Sequence, residues 1–487
     1  MNATNPWFRR EGLALLTDFY ELTMMAGQWS EQRADQRVTF NYFFRSLPPH
    51  TGFAVFAGLE PFLDYLTNLH FEDDDIDYLR SLKIFSERFL DHLKGFRPTC
   101  TVQAVPEGTP VYPYEPILQI EGNIFETLII ESALLNILNY QTLIATKAAR
   151  ICLAASGDPV MEFGLRRAHG PDGAVSASRA AHIGGCNTTS NVLAGKVYGI
   201  PVSGTHAHSW VMSFPSELEA FRTFARHYPD RCVLLVDTYD TEKSGVPNAI
   251  KVFKELHAAG TNIRPAIRLD SGDLSRLSKI AWQKMMEAGL ENPLIVASND
   301  LDEELIVDLK RQGAKINAWG VGTHMVTAYD NPALSGVYKL VAIHENGAWQ
   351  SRMKISSNIE KATDPGRKQL VRYYDEEGHP LCDVMYLDGE TPLDSGIVRG
   401  RNRTWPHRKV SQGQASRGES LLQTVFSGGQ RTLDSPPLPA VRERALAQIA
   451  ALPEEFKRMR NPHIFQSLLS EELGQLKDNM LSNPELA

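Results

Sequence analysis

The chain has 487 residues, 43% of them hydrophobic, with 50 Lys and Arg against 58 Asp and Glu for a formal net charge of −8. That length and apolar content build a core spread over two or three units, and the acidic balance argues against a nucleic-acid coat or a membrane-surface role while leaving room for a local basic pocket. Five scattered cysteines (Cys100, Cys152, Cys186, Cys232 and Cys382), none in a Cys-x-x-Cys pair, exclude a disulfide framework and a zinc ribbon and fit a reducing, cytoplasmic setting.

At the start, Arg9-Arg10-Glu11 leads into only a brief apolar stretch, unlike a secretion signal. Helical patterns at 13–28, 58–68 and 75–82, with short strands near 38–44 and 101–105, give residues 1–155 the character of an α+β N-terminal domain. The most apolar segment, 124–149, is broken by Glu126, Glu131 and several Asn and Gln, so it reads as a buried helix rather than a membrane span.

Residues 156–345 repeat one pattern. Six apolar runs (159–167, 199–209, 232–240, 266–273, 293–300 and 318–323) each break off into small and charged residues, and helical stretches such as 302–311 lie between several of them. Continuous apolar runs separated by helices indicate buried parallel strands, in a β/α barrel or a doubly wound sheet. In either fold, chemistry gathers where strands end. After 346 the chain returns to short strands at 369–374 and 381–387, rejoining the α+β part, then crosses an Arg/Ser/Gly/Gln-rich stretch at 399–418 that reads as an exposed connection. It ends in helical patterns at 440–452 and 468–479, a C-terminal extension.

The strand ends carry the candidate chemistry. Gly204-Thr205-His206-Ala207-His208-Ser209 is the sharpest feature, since an alternating His pair on an extended segment faces one side, where each His can be a ligand, a base or a nucleophile. Asp237 or Asp270 could fix an imidazole tautomer by accepting from its second nitrogen. Arg268-Leu269-Asp270-Ser271-Gly272-Asp273 joins a cation, carboxylates and a turn, a set that suits Mg²⁺ and a phosphate. Gly320-Val321-Gly322-Thr323 offers backbone N–H groups for a phosphate on a late barrel strand. Phe163 precedes Arg166 by three residues, so the ring can stack on a flat substrate whose anionic substituent meets the guanidinium fork.

Seven ordered motifs together resemble the nicotinate phosphoribosyltransferase family: 16–24 (Leu-Thr-Asp-Phe-Tyr-Glu-Leu-Thr-Met), 163–170, 185–195, 204–209, 267–274, 320–323 and 336–341, with Asn461-Pro462-His463 near the end. The resemblance implies an irregular α/β barrel, like that of type II phosphoribosyltransferases, beside the α+β domain. It implies transfer of a phosphoribosyl group from 5-phosphoribosyl 1-pyrophosphate to nicotinate, coupled to ATP hydrolysis, in the salvage route to NAD. His208 would be the residue phosphorylated by ATP, with Asp237 and Asp270 orienting it or holding Mg²⁺. Phe163 and Tyr20 would sandwich the pyridine ring, Tyr20 arriving with Asp18 from the other subunit of a homodimer. Arg166 and Arg268 would lie beside the ring substituent and ribose, and Thr205 and Asn299 would also bind substrate; Gly320, Gly322 and Thr323 would hold the 5-phosphate; Lys339, Lys354 and Lys361 would face the pyrophosphate. Nicotinamide-using relatives carry an Asp where Asn191 stands, and an amide can donate to a carboxylate without adding negative charge, which favours nicotinate. A nicotinamide-type enzyme, a metal-dependent barrel hydrolase with His206 and His208 as ligands, and a catalytically silent nucleotide-binding homologue are the alternatives.

Overall fold

The computed structural model describes residues 13–261, 263–355, 362–391, 397–400, 408–409, 416–483 and 485. The chain divides into two compact units, Met1–Thr146 with Ala333–Ala487, and Lys147–Pro332.

The first unit is built on a seven-stranded sheet in which an inner strand, Arg37–Phe44, pairs antiparallel with Gly336–Glu345 on one side and Leu118–Asn123 on the other. Its sequence, Arg-Val-Thr-Phe-Asn-Tyr-Phe-Phe, is buried at every position after the first. That explains why it shows a continuous apolar and β-branched run instead of an alternation. A second, six-stranded sheet includes the antiparallel pair Lys368–Tyr374 and Pro380–Leu387, across which Arg372 donates two hydrogen bonds of 2.6 and 2.8 Å to Asp383 in the core. The segment 399–418 differs from a uniform exposed connection. Ile397–Gly400 pairs with Ser467–Ser470, and Arg417–Ser420 with Lys368–Tyr374, while residues 401–407 and 410–415 lie outside the described residues. Likewise the last helix starts later than the periodicity predicts. Leu468 and Leu469 are buried in the strand Ser467–Ser470, and only then does the Ser470 hydroxyl cap the helix Glu471–Ser482 by accepting from the Leu473 N–H at 3.1 Å.

The second unit holds a six-stranded, all-parallel sheet in the order Thr188–Thr189, Val160–Glu162, Ala318–Val321, Leu294–Ala297, Ala266–Leu269, Val233–Leu235. Helices Gly170–Ile183, Val246–Ala258, Leu274–Glu287 and Glu303–Arg311 alternate with the strands, which is the expected α/β architecture. Two carboxylates, Asp273 of the Arg268–Asp273 motif and Asp302, turn out to serve these helices: Asp273 accepts from the Arg276 N–H at 2.9 Å and Asp302 from the Leu305 N–H at 2.7 Å, each as an N-cap. After Val233–Leu235 the chain passes Asp237 and enters one π turn, Thr241–Gly245. Gly245 is required there, because a Cβ would stand 1.8 Å from the Val236 carbonyl oxygen.

One predicted strand is nearly missing. Of 199–209, only Val202 bridges the sheet, opposite Thr189. Farther along the same segment a side chain takes over, for the His206 Nε2 accepts the Leu235 N–H of the opposite edge strand at 3.2 Å. The barrel is therefore irregular at this seam, closed by an imidazole where a strand would otherwise donate and accept.

Candidate active site

Because the sheet is parallel, all its strands end on one side, and the motif residues collect there. His208 opens the short helix His208–Met212, with its Nε2 3.3 Å from Asp237 Oδ1. The Asp237 carboxylate is 2% exposed. Its second oxygen accepts from the Asp270 N–H at 2.9 Å and the Ser271 hydroxyl at 2.6 Å, so one acid joins three strand-end segments. Asp270 in turn accepts from the Ser298 hydroxyl and lies 3.9 Å from the Arg268 guanidinium, which also donates to Thr205 Oγ1 at 2.5 Å. Burial pulls the Arg268 pKa below its ordinary value, against the attraction of Asp270 and Asp237.

The two histidines do not form a pair. His206 is buried against Phe221 and Phe224, with its Nε2 engaged by Leu235, so the expectation of two imidazoles on one face fails because the segment is not an extended strand. A hydrolase using both as ligands to one ion loses its geometric basis. Burial, reinforced by the neighbouring Arg268 and His208, lowers the His206 pKa to about 4. An unfolded chain would take up this proton near pH 6.5, so His206 contributes stability that is present above pH 6.5 and is lost as pH falls toward about 4. Replacing His206 with Gln, which can still accept from Leu235, should flatten this limb. The expected difference in unfolding free energy between wild type and variant changes by on the order of 2–3 kcal/mol between pH 7 and pH 4, measured by denaturant melts. Parallel pH profiles would refute the assignment.

Phe163 sits at the same sheet end, its N–H donating to the Val321 carbonyl at 2.8 Å. Its ring covers Gly320, where a Cβ would come within 2.7 Å of two ring carbons. Gly320 is thus a floor beneath the aromatic, and Gly322 and Thr323 are the half-buried members of that motif at the mouth. Arg166 is exposed in the turn Leu165–Arg167. Asn299, also exposed, has φ +86° and is followed by Asp300 at φ +37°, a tight reversal directly after Ser298. Asn191 is 2% exposed and caps the helix Val192–Tyr198: its Oδ1 accepts from the Ala194 N–H at 3.2 Å and its Nδ2 donates to the Ala174 carbonyl at 3.3 Å.

Asp18, Tyr20, Lys339 and Lys354 belong to the first unit. There Asp18 accepts from the Ser132 hydroxyl at 2.9 Å, Lys339 lies 3.8 Å from Glu131, and Lys354 is exposed. Leu16, Phe19, Tyr20 and Met24 form an exposed apolar run at the start of the helix Phe19–Ser30. Lys361 lies outside the described residues. Sequence reasoning gave no role to Ser271, Ser298 or Glu162. The signal for the first two was their place beside Asp270 and Asn299; for Glu162, it was an acid ending an apolar run.

A parallel barrel that gathers a His–Asp pair, an arginine and a glycine-floored aromatic at its strand ends is the architecture of an α/β enzyme with its candidate site at the strand ends. The sequence comparisons fix the family. Residues 15–139 match the nicotinate phosphoribosyltransferase (NAPRTase) N-terminal domain, 159–378 the nicotinate phosphoribosyltransferase (NAPRTase) family and 367–477 the nicotinate phosphoribosyltransferase C-terminal domain. The chain is 44% identical to the nicotinate phosphoribosyltransferase of Bacillus subtilis, over 96% of this chain and 94% of that one, and 34% identical to the human enzyme over 98% of both. A crystal structure of human nicotinic acid phosphoribosyltransferase superposes with a TM-score of 0.84 at 32% identity, covering 95% of this chain and 99% of that one. Nicotinate-nucleotide pyrophosphorylase from Pyrococcus furiosus shares the fold, with a TM-score of 0.67 at 24% identity over 90% of this chain and 95% of that one. The chain belongs to the nicotinate phosphoribosyltransferase family and is an enzyme. No helix among the described residues is long and apolar enough to cross a membrane.

Proposed function

We propose that the enzyme transfers the phosphoribosyl group of 5-phosphoribosyl 1-pyrophosphate to the ring nitrogen of nicotinate, releasing pyrophosphate, with ATP hydrolysis coupled through phosphorylation of His208, as a step of NAD salvage. The observation that carries this reading is the His208–Asp237 contact at 3.3 Å, with the other oxygen of Asp237 tied to Asp270 and Ser271. With Nε2–H donating to Asp237, the free lone pair of His208 is on Nδ1, which takes the terminal phosphoryl group of ATP as ADP leaves. Displacement at the anomeric carbon passes through a cationic, oxocarbenium-like state, so the protein's task is to hold both partners in line and neutralise the leaving group.

The donor set fits Mg²⁺ unequally. Both Asp237 oxygens are engaged within the chain, whereas the Asp270 side chain is 31% exposed at the mouth, so Asp270 is the better placed to offer it an oxygen and Asp237 to orient His208. Bound there, Mg²⁺ would supply charge neutralisation for phosphate oxygens. Phe163 stacks on the ring, Arg166 and Asn191 meet its carboxylate, and Arg268 with Thr205 and Asn299 faces the ribose. Gly322 and Thr323 bind the 5-phosphate above the Gly320 floor, and Lys339, Lys354 and Lys361 the pyrophosphate. The exposed run Leu16, Phe19, Tyr20 and Met24 supports a homodimer in which Tyr20 and Asp18 serve the neighbour's site. Offering nicotinate, nicotinamide and quinolinate separately, with and without ATP, and identifying the mononucleotide tests the reading. Product from nicotinate, stimulated by ATP, is expected; product from quinolinate alone would overturn it.

Asn191→Asp should lower kcat/KM for nicotinate at least tenfold more than for nicotinamide. At about 4 Å, two carboxylates repel by roughly 1 kcal/mol in water and about 4 kcal/mol at a partly buried site. The variant keeps the cap to Ala194 but sets an oxygen against the Ala174 carbonyl, so a uniform loss of stability accompanies the change. An unchanged preference ratio in folded protein would assign specificity to Arg166 instead.

A further inference from the structure

We propose that Glu162 is the positioning residue of the pyridine subsite, a role that rests on the reading of the site given above. Glu162 ends the strand Val160–Glu162 and is 1% exposed, with both carboxylate oxygens committed to segments that line the candidate ring site. Oε1 accepts the Gly164 N–H, which fixes the turn between Phe163 and Arg166. Oε2 accepts from the Ser178 hydroxyl at 2.8 Å, on the helix Gly170–Ile183, and from the Thr189 hydroxyl at 2.5 Å. The Thr189 oxygen then accepts the Asn191 N–H at 3.0 Å, and the Glu162 carbonyl accepts the Ser190 N–H at 2.9 Å. One buried acid therefore sets the distance between the aromatic and cationic wall, Phe163 and Arg166, and the amide of Asn191.

An acid placed only to satisfy three donors would be a poor choice for stability alone, since a carboxylate in the interior costs solvation that a smaller hydrogen-bonding group would not. Its value is geometric: two rigid oxygens, accepting only, compel all three donors to point inward at once. A Gln at this position can accept from Gly164 but must donate to Ser178 or Thr189. Thr189 then has to send its own proton elsewhere, and the Asn191 segment moves relative to the Phe163 turn.

The test compares Glu162→Gln, Thr189→Val and Ser178→Ala in steady-state kinetics, varying nicotinate and 5-phosphoribosyl 1-pyrophosphate separately. Because each 1.4 kcal/mol of lost ring binding is a factor of ten, a displaced pyridine subsite in Glu162→Gln should raise the KM for nicotinate by about 10-fold or more. The KM for 5-phosphoribosyl 1-pyrophosphate should stay within about 2-fold, and Glu162→Gln combined with Thr189→Val should be less than additive because the two share one hydrogen bond. A folded variant in which both KM values move together, or neither moves, overturns the proposal. If Glu162→Gln does not fold, Thr189→Val and Ser178→Ala decide it by the same split. Wild type that forms no mononucleotide from nicotinate overturns the reading of the site itself, whereas active wild type with indifferent variants overturns only the role of Glu162.

Discussion

Replacing His208 with alanine should abolish incorporation of phosphate from ATP and all stimulation by ATP, leaving a slow transfer of the phosphoribosyl group that no longer responds to the nucleotide. The bond to the pyridine nitrogen is made at the sugar, and nothing in that step needs an imidazole, so the two activities should separate cleanly. His208 is the exposed one of the two histidines, its side chain 39% accessible at the strand ends, whereas His206 is enclosed by Phe221 and Phe224. Acid-labile phosphate at wild-type level on His208→Ala would move the assignment to another residue.

Asp237→Asn should slow phosphorylation by about 10²- to 10⁴-fold, the scale seen when the carboxylate orienting a catalytic imidazole becomes an amide. The amide cannot satisfy this site in either orientation. With its NH₂ toward His208, it forces the imidazole to present a lone pair at Nε2 and the proton at Nδ1. With its NH₂ toward Asp270 and Ser271, it meets an N–H and a hydroxyl that both donate to Oδ2 at 2.9 and 2.6 Å. The second arrangement also leaves a buried donor unsatisfied, at about 1–3 kcal/mol of stability. Rapid-quench measurement of phosphoenzyme, with melting curves as a control for folding, checks both effects. A wild-type burst rate in Asp237→Asn would show that Asp237 is only a structural acid.

The barrel was legible because its strands are buried on both faces: runs such as Leu294–Ala297 show no alternation and stand out between capped helices. Seven ordered motifs then located the family and the strand ends. What could not be read was how individual side chains are spent. His206 looks like the partner of His208 by spacing, but a main-chain N–H with no strand opposite it claims the imidazole, a three-dimensional need that leaves no mark in sequence. Asp273 and Asp270 occupy one motif, yet one caps a helix and the other meets Ser298 and Arg268. The residues 401–407 and 410–415, within the stretch expected to be a connection, lie outside the described residues.

The two-faced carboxylate of Asp237 has a thermodynamic consequence. One oxygen answers to His208 and the other to the segment carrying Asp270, so any change of charge on the imidazole is felt at Asp270 and its neighbour Arg268. Linkage makes that influence mutual. If phosphorylation of His208 tightens binding of 5-phosphoribosyl 1-pyrophosphate by some factor, the bound ligand shifts the phosphorylation equilibrium toward the phosphoenzyme by that same factor. The equilibrium level of phosphohistidine at fixed ATP and ADP would then report on occupancy of the sugar site.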